Sequence, residues 1–285
     1  MKKILYPTAV TIGIFDGVHK GHRAVLKKVL REAERKGLKS VVITFDPHPV
    51  KVINPRSQIP LLMSLGHRVQ MIKKTGVDYC FVEQFTKKYS MLSPEDFIKN
   101  ILIDKLNLNT LVTGGNFLFG NKEKGCSFLL KKLSKAYNFN YYSVSPLKID
   151  GEFISSTRIR KAIEKGGLML ASRLLGRPVT ILGTVVRGKR LGRKIGFPTA
   201  NIDPHHESIP PSGVYSVDVI LNKRLYSGIL NISSHKVIEV HILSFKKNIY
   251  GKDIEVIFKR KIRNEKKFKT LTALKHQIQT DISNL

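Results

Sequence analysis

The chain has 285 residues, with 50 Lys and Arg against 21 Asp and Glu, giving a formal net charge of +29. That length holds one large domain or two of ordinary size, and a hydrophobic share of 42% supplies real cores. No apolar run approaches a membrane span and no signal-peptide pattern opens the sequence; two distant cysteines, Cys80 and Cys126, argue against a disulfide framework and fit a reducing cytoplasm. The charge reads two ways: a surface for nucleic acid or anionic membrane, or a lysine-rich enzyme whose ligands are polyanions. The basic residues are scattered in pairs such as Lys27-Lys28, Lys73-Lys74 and Lys131-Lys132 and form no single tail or aromatic-interleaved patch, which favours the second.

Thr11 to Leu26 reads as a strand, a glycine-punctuated loop and a helix. Apolar residues run up to Gly13, and His19 and His22 crowd the turn. Val25, Leu26, Val29, Leu30 and Ala33 then repeat at helical spacing until Gly37 supplies a stop. A strand feeding a helix through a glycine loop points backbone N–H groups and a helix dipole at one spot, which suits phosphate. Ser40 to Phe45 is a β-branched strand ending in Asp46-Pro47-His48-Pro49, where two prolines stiffen the loop. Helices are predicted at Ser64–Lys74, from Ser93 to about Leu106, and at about Ser127–Tyr137, with strands at Tyr79–Val82, Thr110–Thr113 and Tyr141–Val144. Ser93-Pro94-Glu95-Asp96 is a good helix start, with Ser at the N-cap and acids in the first turn. Ser155-Ser-Thr-Arg-Ile-Arg160 opens a further helix that ends at Gly166-Gly167.

Strands alternating with helices predict a parallel sheet covered on both faces, with ligands beyond the carboxyl ends of its strands. The loops at 19–22, 46–49 and 114–120 are therefore expected on one edge. After Gly167 the texture changes. Leu168–Leu175 reads as a connecting helix. Val214–Leu221 and Arg224–Leu230 flank a hairpin turn at Asn222-Lys223, and Lys236–Phe245 alternates, with Ile238, Val240 and Ile242 on one parity and Glu239 and His241 on the other. Asp253–Phe258 is another strand, and a last helix carries Leu271, Leu274, Ile278 and Ile282. This pattern predicts a small antiparallel barrel with a C-terminal helix. The expected domains are 1–170 and 171–285.

A bare H-x-G-H is a weak signal; its place at a strand–helix turn strengthens it. Gly13-Ile-Phe-Asp-Gly-Val-His-Lys-Gly-His22, Thr44-Phe-Asp-Pro-His-Pro49, Gly114 to Gly120 and Ile154 to Arg160 together resemble the FMN adenylyltransferase domain of prokaryotic bifunctional FAD synthetases, within the Rossmann-like nucleotidyltransferase superfamily. The second half is similar to the same family's riboflavin kinase domain: Gly183 to Ile202, Gly213-Val-Tyr215, Glu239-Val-His241-Ile-Leu and Arg263-Asn-Glu-Lys-Lys-Phe268 carry that resemblance. It covers almost the whole chain, with the motifs in order.

The resemblance implies phosphorylation of riboflavin by ATP in the second domain and transfer of AMP from ATP to FMN in the first, giving FAD and pyrophosphate. It assigns His19 and His22 to the ATP phosphates as catalytic groups. Gly13, Phe15, Asp16, Gly17, Asp46, Pro47, His48, Asn116, Ser156, Thr157, Arg158 and Arg160 would bind ATP or flavin. In the kinase it implies Glu239 as base, Thr199 and Asn201 as Mg²⁺ ligands, and Gly188, Gly192 and Arg193 in a nucleotide loop. The expected partners are small molecules (ATP, riboflavin and FMN), with no membrane and no specific nucleic acid.

Two departures stand out. The family's aspartate in the G-x-D-F loop is Asn116, which keeps an acceptor oxygen and loses the charge. Asn231 and Glu239 are separated by a shorter stretch than usual, without the family's Pro-Thr pair, and Ser244, Lys246 and Lys247 surround Phe245 where acids are common. The alternative readings are an adenylyltransferase with a weak or inactive flavin-binding kinase-like barrel, and a basic nucleic-acid-binding protein.

Overall fold

Hydrophobic strands and amphipathic helices alternate in the computed structural model much as the sequence pattern requires. The structure describes residues 3–57, 59–120, 125–188, 192, 196–283 and 285. The chain divides into two compact units, Met1–Ile59 with Leu65–Ser156, and Pro60–Ser64 with Thr157–Leu285. The expected boundary at 170/171 lies inside the second.

The first unit contains β1 (Thr8–Ile12), α1 (Lys20–Lys36), β2 (Lys39–Asp46), α2 (Pro49–Ile53), α3 (Leu65–Lys73), β3 (Tyr79–Gln84), α4 (Lys87–Ser90), α5 (Pro94–Asp96), β4 (Leu108–Gly114), α6 (Ser127–Ala136) and β5 (Asn140–Val144). A two-strand hairpin of β6 (Lys148–Ile149) and β7 (Glu152–Phe153) follows. Among the described residues the main sheet is parallel, in the order β3-β2-β1-β4-β5. The period of two divides its side chains between two cores. Val10, Ile12, Val41, Ile43 and Leu111 face one cluster with Ile98, Leu102 and Leu130. Ala9 and Val112 face another with Val25, Val29 and Ala33 of α1. Gly37 ends α1 at φ 63, where its N–H reaches the Ala33 and Glu34 carbonyls. β1 is central and the chain leaves it in both directions, so the loops after β1, β2 and β4 share one edge at the switch in strand order.

The helix expected from Ser93 starts as predicted, with Ser93 Oγ accepting from Asp96 N at 3.0 Å. It then widens into π-helical turns over Phe97–Ile103. Phe97, Ile98, Ile101 and Leu102 face the interior, the same side that α-helical turns would present.

The second unit opens with α7 (Ser156–Glu164, Thr157 onward) and α8 (Leu168–Leu175). Its strands are β8 (Thr180–Val186), β9 (Ala200–Asp203), β10 (Gly213–Leu221), β11 (Arg224–Ile232), β12 (Ile238–Ile242) and β13 (Asp253–Arg263). Among the described residues they close into an antiparallel barrel, β10-β11-β12-β9-β8-β13. Asn222 and Lys223 take φ of 50 and 66, the left-handed pair that a two-residue hairpin needs. Ile238, Val240 and Ile242 are buried, as their parity requires. Pro60–Ser64 belongs to this unit by direct bonds: Leu61 N donates to His206 O at 3.2 Å, and Ser208 N to Leu61 O at 2.6 Å. The buried Glu207 carboxylate accepts from Ser64 N at 2.7 Å and from Leu182 N at 3.1 Å.

The closing helix α9 (Leu271–Ser283) differs in detail from its apolar stripe: Leu271 is exposed, and the helix's buried residue is Asp281. Arg263 Nη2 and Nε hold that carboxylate at 2.8 and 3.0 Å, so an ion pair anchors the helix to β13. Removing one member of a buried pair strands the other's charge. Asp281→Asn is therefore expected to destabilise the second unit by about 3 kcal/mol, read as earlier loss of amide-exchange protection along β13 on addition of urea.

Candidate active sites

Between β1 and α1 the backbone winds tightly. Phe15, Gly17 and Val18 have φ of 53, 85 and 38, and Phe15, Asp16, Val18 and His19 are buried. Two non-glycine residues in the left-handed region within four positions is costly backbone geometry of the kind found at functional turns. Gly13 N donates to Ile43 O at 3.0 Å, which ties the turn to β2. His19 caps α1: its Nδ1 accepts from His22 N at 3.2 Å. An accepting Nδ1 puts the proton of the neutral ring on Nε2. The two imidazoles stack, with centroids 3.6 Å apart and planes 16° apart, and Phe15 meets His22 edge-on at 5.2 Å. Gly21 makes this possible, since a Cβ there would lie 3.1 Å from His19 Cε1. The glycine of H-x-G-H is thus explained by the ring beside it.

His22 is partly exposed, while its Nδ1 is buried and lacks a hydrogen-bond partner among the described residues. Burial, then His19, then Arg68 hold its pKa well below the usual imidazole value, so the ring is neutral near pH 7. Ser156 Oγ donates to Asp16 O at 2.9 Å, bringing the end of the first unit to the same turn. Thr157, Arg158 and Arg160 lie on α7 in the second unit.

At the end of β2, Asp46–Pro47 is a cis peptide and His48 caps α2, its Nδ1 accepting from Val50 N at 3.2 Å. Pro47 is exposed and His48 buried. After β4, Asn116 is exposed and Phe117 stacks on Phe119 at 5.5 Å. Phe119 continues through Phe97 and Tyr89 to Phe45, an aromatic chain joining the β4 loop to the end of β2. The residues read one loop at a time in the sequence thus lie around one edge of one sheet.

Arg68, on α3, was not among the expected residues. It is 1% exposed and its Nη2 donates to Phe45 O at 2.8 Å. Its place was readable: with Leu65, Val69 and Ile72 it follows the i, i+3, i+4, i+7 spacing of a buried stripe.

In the barrel, Glu239 pairs directly with Asn201 on β9 and with Asn231 on β11. Direct cross-strand partners share a face, so the carboxylate is flanked by two amides. Thr199 stands two residues before Asn201, the spacing that returns an extended chain to the same face. Gly188 packs so closely on the Asn201 side chain that a Cβ would overlap it, and a Cβ on Gly192 would lie 3.1 Å from Thr199 Oγ1. Arg193 lies outside the described residues. His241 Nδ1 donates to Pro198 O at 2.8 Å and fixes the start of this segment. The shortened stretch before Glu239 closes as a turn, with Val237 N on Ser233 Oγ at 3.0 Å and Lys236 at φ 60, and the Asn231–Glu239 register is kept. A pocket of about 400 Å³ is lined by Val185, Pro198, Thr199, Val240, Ile242 and the 245–250 loop. Sequence reasoning had left that loop and His241 without a role.

These two arrangements define a nucleotidyltransferase unit and a small kinase barrel. A family model for FAD synthetase matches residues 1–158, and one for riboflavin kinase matches 175–285. A bifunctional riboflavin kinase/FMN adenylyltransferase of Buchnera aphidicola from Schizaphis graminum is 38% identical over 99% of this chain and 94% of its own length. Its namesake in Escherichia coli K12 is 36% identical over 95% of this chain and 90% of its own. A solved structure from Streptococcus pneumoniae, described as a macrolide-efflux protein, is 29% identical with a TM-score of 0.83, covering 97% of this chain and 93% of that one. The chain belongs to the family of bifunctional riboflavin kinase/FMN adenylyltransferases and carries both of the family's enzymatic domains.

Gly21→Ala should displace the His19 ring by a few tenths of an ångström. With FMN supplied, FAD formation is expected to fall about tenfold, while circular dichroism stays that of the parent and FMN formation from riboflavin is unchanged.

Proposed function

We propose that this chain makes FAD from riboflavin in two ATP-dependent steps, kinase first in residues 171–285 and adenylyl transfer second in residues 1–170. One observation carries the reading: the His19–His22 pair and the Glu239 strand cluster lie in different compact units, and each half of the chain has its own family match. Both steps are displacements at phosphorus, where catalysis is mostly positioning and charge stabilisation.

In adenylyl transfer the FMN phosphate is itself the nucleophile, so no protein nucleophile is required. His19 presents Nε2–H from a ring locked through Nδ1, and His22 adds a neutral, dipolar neighbour at the N-terminus of a 17-residue helix. Together they stabilise the charge on the transferring phosphorus and on the departing pyrophosphate. Gly13, Phe15, Asp16 and Gly17 shape the turn, and Ser156 holds it through Asp16. Asp46, Pro47, His48 and Asn116 border the flavin side. Thr157, Arg158 and Arg160 are assigned to polyphosphate.

In the kinase the ribityl hydroxyl is a poor nucleophile, and Glu239 takes its proton. Thr199 and Asn201 supply oxygen donors of the kind Mg²⁺ prefers, and Asn201 stands directly across from the carboxylate, so the residues present fit the ion. There Mg²⁺ would neutralise phosphate charge. Gly188, Gly192 and Arg193 belong to the nucleotide loop. The substrates ATP, riboflavin and FMN account for a basic protein without a nucleic-acid partner. The reading places the work in the cytoplasm, where Cys80 and Cys126, both free thiols, stay reduced.

The test is the purified chain with ATP, Mg²⁺ and riboflavin, products separated. FMN and FAD are both expected; FAD formed only when FMN is supplied would remove the kinase step from the proposal. His22→Ala is expected to abolish FAD formation and spare FMN. Glu239→Gln is expected to lower FMN formation about 10³-fold and spare conversion of added FMN. Loss of both products in either variant contradicts two separate sites.

A further inference from the structure

We propose that Arg68 is a positioning residue of the adenylyl-transfer site, a fixed buried cation that sets the charge at the His22 end of that site and offsets the carboxylates of Asp16 and Asp46. This rests on the assignment of His22 to FAD formation. Arg68 occupies a core position of α3, is 1% exposed, and bonds through Nη2 to the carbonyl of Phe45, the residue before Asp46. Its Nε and Nη1 are buried and have no hydrogen-bond partner among the described residues. A guanidinium buried with spare donors is a poor way to hold a helix, since an apolar side chain at the same position packs without stranding polar groups. Its surroundings supply the reason for a charge. Asp16 comes from the turn after β1 and Asp46 from the end of β2, and both favour the cation against the cost of its burial. His19, stacked on His22 from the cap of α1, and the charge of Arg68 on α3 both oppose a proton on the His22 ring.

Two consequences follow for the chemistry. Asp16 lies buried in the turn that carries His19 and Asp46 closes β2, and an uncompensated carboxylate at either place adds negative charge to a site whose substrates are anions. A cation behind His22 keeps that imidazole neutral at lower pH than it would otherwise be, so it enters the reaction as a hydrogen-bonding dipole. Its sign is definite. Neutral His22 is lost as pH falls through its pKa; without the Arg68 charge that pKa rises, and the acid limb of activity moves to higher pH.

The experiment is the pH profile of kcat/KM for FAD formation from FMN in the full chain, for the parent, Arg68→Gln and Arg68→Lys. Arg68→Gln is expected to move the acid limb up by about one pH unit, while Arg68→Lys, which keeps the charge, leaves it in place. A purely structural role lowers activity by the same factor at every pH. An unmoved limb in Arg68→Gln overturns the proposal, and so does a moved limb in Arg68→Lys, which decides alone if the glutamine variant does not fold. His22→Ala in parallel separates the two levels. Retained FAD formation there withdraws the His22 assignment itself; its loss together with an unmoved Arg68→Gln limb overturns the role of Arg68 alone.

Discussion

The hydrogen bond from His22 N to His19 Nδ1 is the contact on which the geometry of the first unit's histidine turn depends. It caps α1, fixes the tautomer of His19 and seats one imidazole on the other. A side chain at position 21 pushes on this arrangement, because a Cβ there lies 3.1 Å from the His19 ring. The strained turn ahead of it, with Phe15 and Val18 in the left-handed region, delivers His19 to that place from the end of a fully buried strand. Backbone strain, ring stacking and helix capping here form one arrangement, and the central position of β1 in the sheet gives it a rigid base.

On the proposed assignments, the two units meet phosphate with different chemistry. In that reading the first uses two stacked imidazoles at a helix start, with the charges of Arg68 and Asp16 buried. The second uses oxygen: a carboxylate between two amides, with a hydroxyl nearby, fixed by strand register. A transfer between two anions needs charge stabilisation without a base, whereas a transfer to an alcohol needs a base. The residue types divide along that line.

Much of this was legible because it obeys short-range rules. The stop at Gly37, the left-handed Asn222-Lys223 turn and the buried parity of Ile238, Val240 and Ile242 each follow from local chemistry. The common edge of the three loops followed from the parallel sheet. What escaped was set by packing or was too short to show a period. The π-helical turns at Phe97–Ile103 leave the same apolar residues inward as an α-helix would. The hairpin at Asp150-Gly151 has strands of two residues each, too few to alternate visibly. Arg68 sat in plain helical spacing, but a guanidinium on an apolar stripe reads as surface until its burial is seen. Glu239 was found only through family resemblance, since an alternating glutamate looks like any solvent-facing one. Its flanking amides emerged from the strand register.

The segment Pro60–Ser64 gives the barrel unit a second origin in the chain. No single cut in the backbone releases that unit whole. A fragment beginning at residue 157 or 171 carries the strands but leaves behind the chain that bonds His206 and Ser208, together with one of the amides that Glu207 accepts from. During synthesis these five residues emerge well before the strands they will join, so they must wait for the barrel to be made. The two activities are therefore not two beads on a string, and a kinase half expressed alone is a different protein from the one within the intact chain.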